Sequence, residues 1–222
     1  MMYKKLIIAD TETDGVTSTS TALSFSGLLC TVNLQTRELG IESAFNYYFA
    51  QEYDVPVDVV KIHHLTKQIL DVRSNGRYFE DYKQELTPLL YMPDRYLCGH
   101  NISFDYRILK QTNQAYNGGF RIGYRGFVDT LKYTQKYVPK SYWPRSNNGP
   151  RLSACKEHII YGEMGLIDDD ILALLDNVPM YGFNEKSNLQ HSSLFDALQV
   201  ALILNYIIKL DGPSVINWEV AT

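Results

Sequence analysis

The chain has 222 residues, enough for one well-packed domain and short for two. Its composition, 45% hydrophobic and 21% charged, is that of an ordinary globular protein. The net charge of −4 argues against coating nucleic acid through a broad basic field. It leaves room for a site that grips a strand through divalent cations, which bring their own positive charge.

Cys30, Cys98 and Cys155 are odd in number and far apart, so neither paired zinc-ligand spacing nor a disulfide framework is expected. The apolar run Leu6-Ile7-Ile8-Ala9 meets Asp10 too soon for a secretory signal. No stretch is expected to span a membrane. The expected location is intracellular and cytoplasmic, in a reduced compartment. Tyrosine is the compositional outlier, with 17 copies, and such rings serve either packing or base stacking.

In chain order, a fully apolar strand is expected over Tyr3–Ala9. Strands follow at Ser26–Leu34 and Ile41–Phe49, joined by the polar turn Gln35-Thr36-Arg37-Glu38. Helical stretches come at Val57–His63 and Tyr78–Leu90. A buried strand, Tyr96–Gly99, leads into a helix over Phe104–Asn113, and Gly126–Asp129 forms a strand running into a helix over Thr130–Tyr137. Residues 139–150 contain three prolines and read as a loop. Helices are expected at Leu152–Ile160 and Asp168–Leu175. The last helix, Leu194–Lys209, has Ser192 or Ser193 as its cap. Three hairpin-connected strands followed by alternating helices and strands imply a mixed α/β sheet flanked by helices in one domain, 1–222.

Three segments carry candidate chemistry. If the first strand continues through Glu12, Asp10 and Glu12 point to one side, because strand side chains alternate. Two carboxylates there repel each other unless a cation lies between them, and hard cations such as Mg²⁺ prefer oxygen ligands. The bland reading is a solvated strand end. Asp105 opens a helix after Leu97-Cys98-Gly99-His100-Asn101, where an acid also complements the helix dipole without any other duty. His191 and Asp196 flank the start of the last helix. Five positions put them roughly 140° apart on a continuous helix, so His191 must precede the helix and reach back. A histidine placed so suits a proton acceptor, although a surface cap is the simpler use.

Taken in order, Asp-x-Glu, Asn-x-x-Phe-Asp and His-x-x-x-x-Asp resemble the DEDDh family of 3′→5′ exonucleases, which includes polymerase proofreading subunits, RNase T and oligoribonucleases. The resemblance runs from about Leu6 to Ile208. Ile62-His63-His64-Leu65-Thr66 is similar to a His-Gly-Ile/Leu-Thr segment of the family, and Val128-Asp129-Thr130-Leu131 to its Asp-Thr-Leu strand end. The resemblance implies an RNase H-like fold. It implies two divalent cations, Mg²⁺ or Mn²⁺, held by Asp10, Glu12, Asp105 and Asp196. It further implies His191 as the base that takes a proton from the attacking water, and nucleoside 5′-monophosphates as products. A sister group carries tyrosine four residues before the last aspartate; Ser192 stands there in this chain, which excludes that group.

By the same resemblance, Thr13, Gly15, His63, Leu65, Asn101 and Phe104 are candidate substrate contacts, with core packing the alternative for Leu65 and Phe104. The expected partner is a single-stranded 3′ end of DNA or RNA, and a polymerase or other protein is a further candidate. The chain departs from the family at Asp14, usually a small uncharged residue, and at His64, commonly glycine. It also has surplus length at about 161–188, read as an insertion and a candidate flap whose Asp168-Asp169-Asp170 would repel duplex flanks. The competing reading is a catalytically silent RNase H-like binding module, and a third is endonucleolytic action on structured ends.

Overall fold

The computed structural model describes residues 3–144, 149–183 and 192–218. Its centre is β1 (Tyr3–Asp10), whose Leu6, Ile7, Ile8 and Ala9 are all buried. A run apolar on both sides belongs to a strand covered on both faces. β2 (Ser24–Asn33) and β3 (Glu38–Tyr48) extend the sheet antiparallel, as the hairpin pattern predicts. β4 (Tyr91–Gly99) and β5 (Gly123–Asp129) add in parallel on the other side of β1. A short β6 (Met180–Gly182) pairs in parallel with β3. The order is β5-β4-β1-β2-β3-β6, and among these strands β2 alone runs against the rest. This is the mixed sheet expected of an RNase H-like fold.

On one face, Leu6, Ile8, Leu28 and Cys30 pack with the last helix, α8 (Ser193–Asp211). On the other, Ile7, Ala9, Phe25 and Phe45 pack with α3 (Lys83–Leu90) and α4 (Ile102–Ala115). A third, smaller cluster joins Leu23, Tyr48, Val55, Leu65 and Leu70 beneath α1 (Val57–His63) and α2 (Lys67–Ser74). The three cysteines are unpaired and buried.

Several boundaries differ from the sequence expectation for identifiable reasons. β4 begins at Tyr91 because the strand tolerates Pro93 where its pairing with β5 is interrupted, between Met92 and Tyr96. The helix expected over Tyr78–Leu90 is divided into a 3₁₀ turn, Phe79–Tyr82, and α3. The helix expected at Leu152–Ile160 starts as α6 (Leu152–Cys155) and widens into a π-helical stretch, Lys156–Glu163. α2 has no counterpart in the expected elements, although Thr66 caps it by accepting from the Ile69 amide at 3.3 Å. His64, the departure from glycine, closes α1 in the left-handed region at φ 61°, a conformation that costs a non-glycine residue about 1–2 kcal/mol.

Two expectations are corrected outright. α8 is long and apolar enough to cross a membrane by length and composition, with 72% of its most apolar window buried inside the protein. A helix apolar all round is one covered all round: the sheet lies on one side, and α5 (Thr130–Thr134), α6, the π-helical stretch and α7 (Asp168–Ala173) lie on the others. The surplus segment is no flap in its described part. Ile171 and Leu175 are buried in the α8 core, and Met180–Gly182 is a strand on the sheet edge. Two of its three adjacent acids are engaged: Asp168 accepts from the Tyr161 hydroxyl and lies 3.7 Å from Lys156 Nζ, while Asp170 accepts from the Ile167 amide. Residues 184–188 of that segment lie outside the described residues.

Close packing of β2 makes a specific demand at Gly27. A Cβ there would stand 2.2 Å from the Ile8 carbonyl oxygen and 2.9 Å from Phe45 Cζ. Gly27→Ala is therefore expected to destabilise the protein by about 1–3 kcal/mol, the usual scale of overpacking. A urea titration should show a lowered midpoint at unchanged slope; an unmoved midpoint would mean that β2 shifts freely against its neighbours.

Candidate metal-binding and active site

Asp10 ends β1, and the chain beyond it stays extended. Leu23 donates its amide to the Glu12 carbonyl at 2.7 Å, and Thr13 bridges to Ala22. Period-two alternation then leaves Asp10 and Glu12 on one side. Asp196 comes to them from the first turn of α8, whose cap is Ser192, accepting from the Phe195 amide at 3.3 Å. Each of Asp10, Glu12 and Asp196 offers a carboxylate oxygen within 4.8 Å of the others. An all-carboxylate donor set of this size fits a hard divalent cation.

Asp105, in the first turn of α4, stands next to this trio but is held apart. Its Oδ1 accepts from the Thr11 amide at 3.0 Å and from the Thr11 hydroxyl at 2.8 Å, and it is 4% exposed. Asp105 thus reaches the site through Thr11, the residue between the two acids of β1.

Burial raises the Asp10 carboxyl well above its usual range, and the charges of Asp105, Asp196 and Glu12 add to the shift. Burial, then Asp196 and Asp105, push Glu12 up to about 8. Asp105 and Asp196 are raised by burial as well. Thr11 opposes this at Asp105, while Gln199 and then Lys156 oppose it at Asp196.

The helix carrying Asp196 is fastened by a buried hydroxyl chain. The Glu12 amide donates to Ser24 Oγ at 3.3 Å, and Ser24 Oγ lies 2.8 Å from Ser193 Oγ. Ser193 donates to Ser26 Oγ at 2.7 Å, and Ser26 to Asn46 Oδ1 at 2.7 Å. This chain fixes the start of α8 against the strand ends that hold the other two acids.

A groove of about 250 Å³ opens beside the acids, lined in part by Glu12, His63, Lys156, Phe195, Asp196 and Gln199. The motifs do not point to Lys156 or Gln199. Gln199 was legible only as an i,i+3 neighbour of Asp196, to which its Nε2 donates at 2.8 Å. Lys156 is brought to the groove by the π-helical stretch, which no local pattern announces.

The candidate substrate contacts separate on inspection. His63 is locked: its Nδ1 accepts from the Leu65 amide at 3.0 Å, which leaves Nε2 as the donor to the Thr13 carbonyl at 3.2 Å. Burial lowers its basicity, in keeping with a neutral ring tying α1 to the loop after β1. Thr13 donates its hydroxyl to the Gly15 carbonyl at 2.6 Å, and a Cβ on Gly15 would come within 2.8 Å of Ser20 Oγ. Leu65 is 3% exposed and packs in the third core cluster, the packing alternative weighed for it. Asn101 starts α4 in the left-handed region and donates its amide to Asp129 Oδ1 at 2.8 Å. Phe104 is half-buried with the Arg107 guanidinium 5.1 Å above its ring. Asp14 is turned away into its own loop, where it accepts from the Thr21 amide at 2.8 Å and from the hydroxyls of Thr21 and Tyr53. His191 lies outside the described residues.

No protein-family model and no curated protein matches the chain. Solved structures do share its fold. Exonuclease X in complex with 5′-overhanging duplex DNA superposes with a TM-score of 0.53 at 17% identity, over 93% of either chain. Escherichia coli exonuclease I in complex with a dT13 oligonucleotide gives a TM-score of 0.61 at 15% identity, over 96% of this chain and 42% of that one. Cell-death related nuclease 4 gives 0.55 at 15% identity, over 94% of this chain and 65% of that one. The chain thus spans nearly the whole of exonuclease X and about two-fifths of exonuclease I.

The raised carboxyls have a measurable consequence. Each binds its proton more tightly in the folded chain than in the unfolded one, so they stabilise the metal-free fold at low pH. That contribution is lost as pH rises from the ordinary carboxylate range through the Glu12 value near 8. In chelator, the thermal midpoint is expected to fall between about pH 5 and about pH 8, and Asp10→Asn should flatten the slope. A wild-type midpoint that climbs or holds level across that window would show that the acids do not repel.

Proposed function

We propose that the protein is a metal-dependent 3′→5′ exonuclease of the DEDDh type, releasing nucleoside 5′-monophosphates from single-stranded 3′ ends. The observation that carries this reading is the convergence of Asp10, Glu12 and Asp196 at the end of a buried strand, in the chain order that the family resemblance demands. The RNase H-like fold shared with exonuclease X and exonuclease I supports it, as does the DNA in both of those complexes.

Asp10, Glu12 and Asp196, with Asp105 beside them, would hold two divalent cations, Mg²⁺ or Mn²⁺, which stabilise the attacking and leaving oxygens of an in-line displacement. The protein's own residues do the remainder. Thr11 aims Asp105, and Gln199 aims Asp196. Lys156 and Phe195 wall the groove, Lys156 offering a cation for a backbone phosphate while Phe195, almost wholly buried, backs it from the core. His191, which immediately precedes the α8 cap in sequence, takes the proton of the attacking water. The bond from phosphorus to the 3′ oxygen of the preceding nucleotide breaks as the water oxygen bonds to phosphorus, freeing the 5′-monophosphate. A neutral imidazole, with an ordinary pKa near 6.5, serves as such a base at neutral pH.

Digestion of 5′-labelled single-stranded DNA and RNA with Mg²⁺ or Mn²⁺ tests the reading directly. A ladder shortening from the 3′ end is expected, absent with chelator and absent in Asp196→Asn. Cleavage that persists in excess chelator would overturn the two-metal reading, and no cleavage of any strand would leave a binding module as the better description. Products that ignore a 3′ block would identify an endonuclease.

His191→Ala is expected to lower turnover by about 10²–10⁴-fold, the usual scale for a lost general base. Binding of the strand in Ca²⁺ should change little. Near-normal turnover in that variant at neutral pH would remove His191 from the chemistry.

A further inference from the structure

A second cleft, of about 580 Å³, opens at the β6 edge of the sheet, between the strand ends and α2. Tyr47, Tyr48, Tyr82, Tyr181 and Phe183 line it together with Arg73 and Arg77. The two arginines differ. Arg77 is committed, pairing with Glu85 at 2.8 Å and lying 3.8 Å over the Tyr82 ring. Arg73 has no carboxylate at ion-pair distance among the described residues. Its guanidinium stands 4.9 Å from the Tyr48 ring centre and 5.4 Å from that of Phe183, and it donates to the Tyr48 hydroxyl at 3.1 Å. Tyr181 is 57% exposed at the rim. A planar cation held by aromatic faces, with a projecting ring nearby, matches the chemistry of a nucleotide: phosphate for the arginine and base for the ring.

The sheet also relates the cleft to the acids. Asp10 pairs with Ser26, Ser26 with Asn46, and Asn46 with Gly182. That single row crosses from the end of β1 to the cleft in three strand spacings, roughly 14 Å. Tyr181, paired with Phe45, projects from the opposite face of the sheet, so a strand whose 3′ end lies at the acids could reach Arg73 along this row and Tyr181 by passing round the β6 edge, with nucleotides a few positions upstream.

We infer that the Arg73–Tyr181 cleft is a binding subsite for single-stranded nucleic acid upstream of the 3′ end, an inference that rests on the exonuclease reading. Arg73 contacts a backbone phosphate and Tyr181 stacks on a base. Subsite occupancy makes affinity depend on strand length, while the terminal chemistry is left unchanged.

The test is fluorescence anisotropy, in Ca²⁺, of labelled oligonucleotides roughly three and roughly twelve nucleotides long, lengths that bracket a strand-tracking site. Arg73→Ala and Tyr181→Ala should each weaken binding of the longer strand by about ten-fold, in line with the loss of one phosphate or stacking contact, and leave the shorter one unchanged. Arg73→Lys, which keeps charge and loses the planar stack, should fall between. Tyr181 is at an exposed rim, so its truncation leaves the fold in place and keeps the test decisive if Arg73→Ala misfolds. Equal affinity of the wild-type and Tyr181→Ala proteins for the longer strand overturns the subsite. Mg²⁺-dependent hydrolysis of the shorter strand by the wild type is measured alongside. Its absence sinks the exonuclease reading, whereas its presence with unchanged long-strand binding in the variants sinks the subsite alone.

Discussion

Asp10, Glu12 and Asp196 repel one another in a partly buried site, and the elements that carry them must resist that repulsion. Two of the acids are fixed by the backbone of a central strand and its extension, which cannot move without breaking pairs on either side. The third rides on α8, which is free to slide only if its buried flank slides with it. The hydroxyl chain from Glu12 through Ser24, Ser193 and Ser26 to Asn46 spans this junction. A buried polar chain whose members are all paired specifies one arrangement, since any shift leaves a donor or acceptor unsatisfied.

α8 therefore has two duties that share one cause. Apolar round its N-terminal three turns, it is buried there on every side, and its burial in the core sets the position of its first turn. The first turn is where a carboxylate is favoured by the helix dipole, which offsets part of the cost of bringing Asp196 to two like charges. Gln199, one turn on, holds the Asp196 carboxylate, and Lys156 supplies a nearby positive charge from a neighbouring element. Lys156 is itself tethered toward Asp168, so the segment after the π-helical stretch steadies the groove wall through packing and charge.

The loop between β1 and β2 shows how a sequence departure is absorbed. A carboxylate at position 14 would oppose a phosphate if it faced the acids. Three hydrogen bonds from Thr21 and Tyr53 hold it inside its own loop instead. His63 fastens the same loop from the α1 side with both ring nitrogens engaged. The loop carrying Thr13 and Gly15 is thus clamped from two directions, directly after the two acids at the end of β1.

Much of the fold was legible in the amino-acid order, because its signals are local. The continuous apolar run of β1, the polar turn between β2 and β3, and the serine before α8 each report the environment of their own segment. The pairing of Asp10 with Glu12 was legible too, since strand alternation dictates it, and the ordered acids carried the resemblance that brought Asp105 and Asp196 into the same site. What local pattern could not supply was everything set by contact between distant segments. β6 exists because the edge of β3 offers unpaired backbone groups to three residues with little strand signal of their own. Lys156 reaches the groove because a π-helical stretch turns it there, and Leu65 is core because α1 and α2 close over it. Asp14 faces its loop because Tyr53, 39 positions away, waits with a hydroxyl. Sequence fixes which side chains share a strand face or a helix turn. Only the packed structure decides which charges meet, because Coulomb and hydrogen-bond energies depend on distances that no local period encodes.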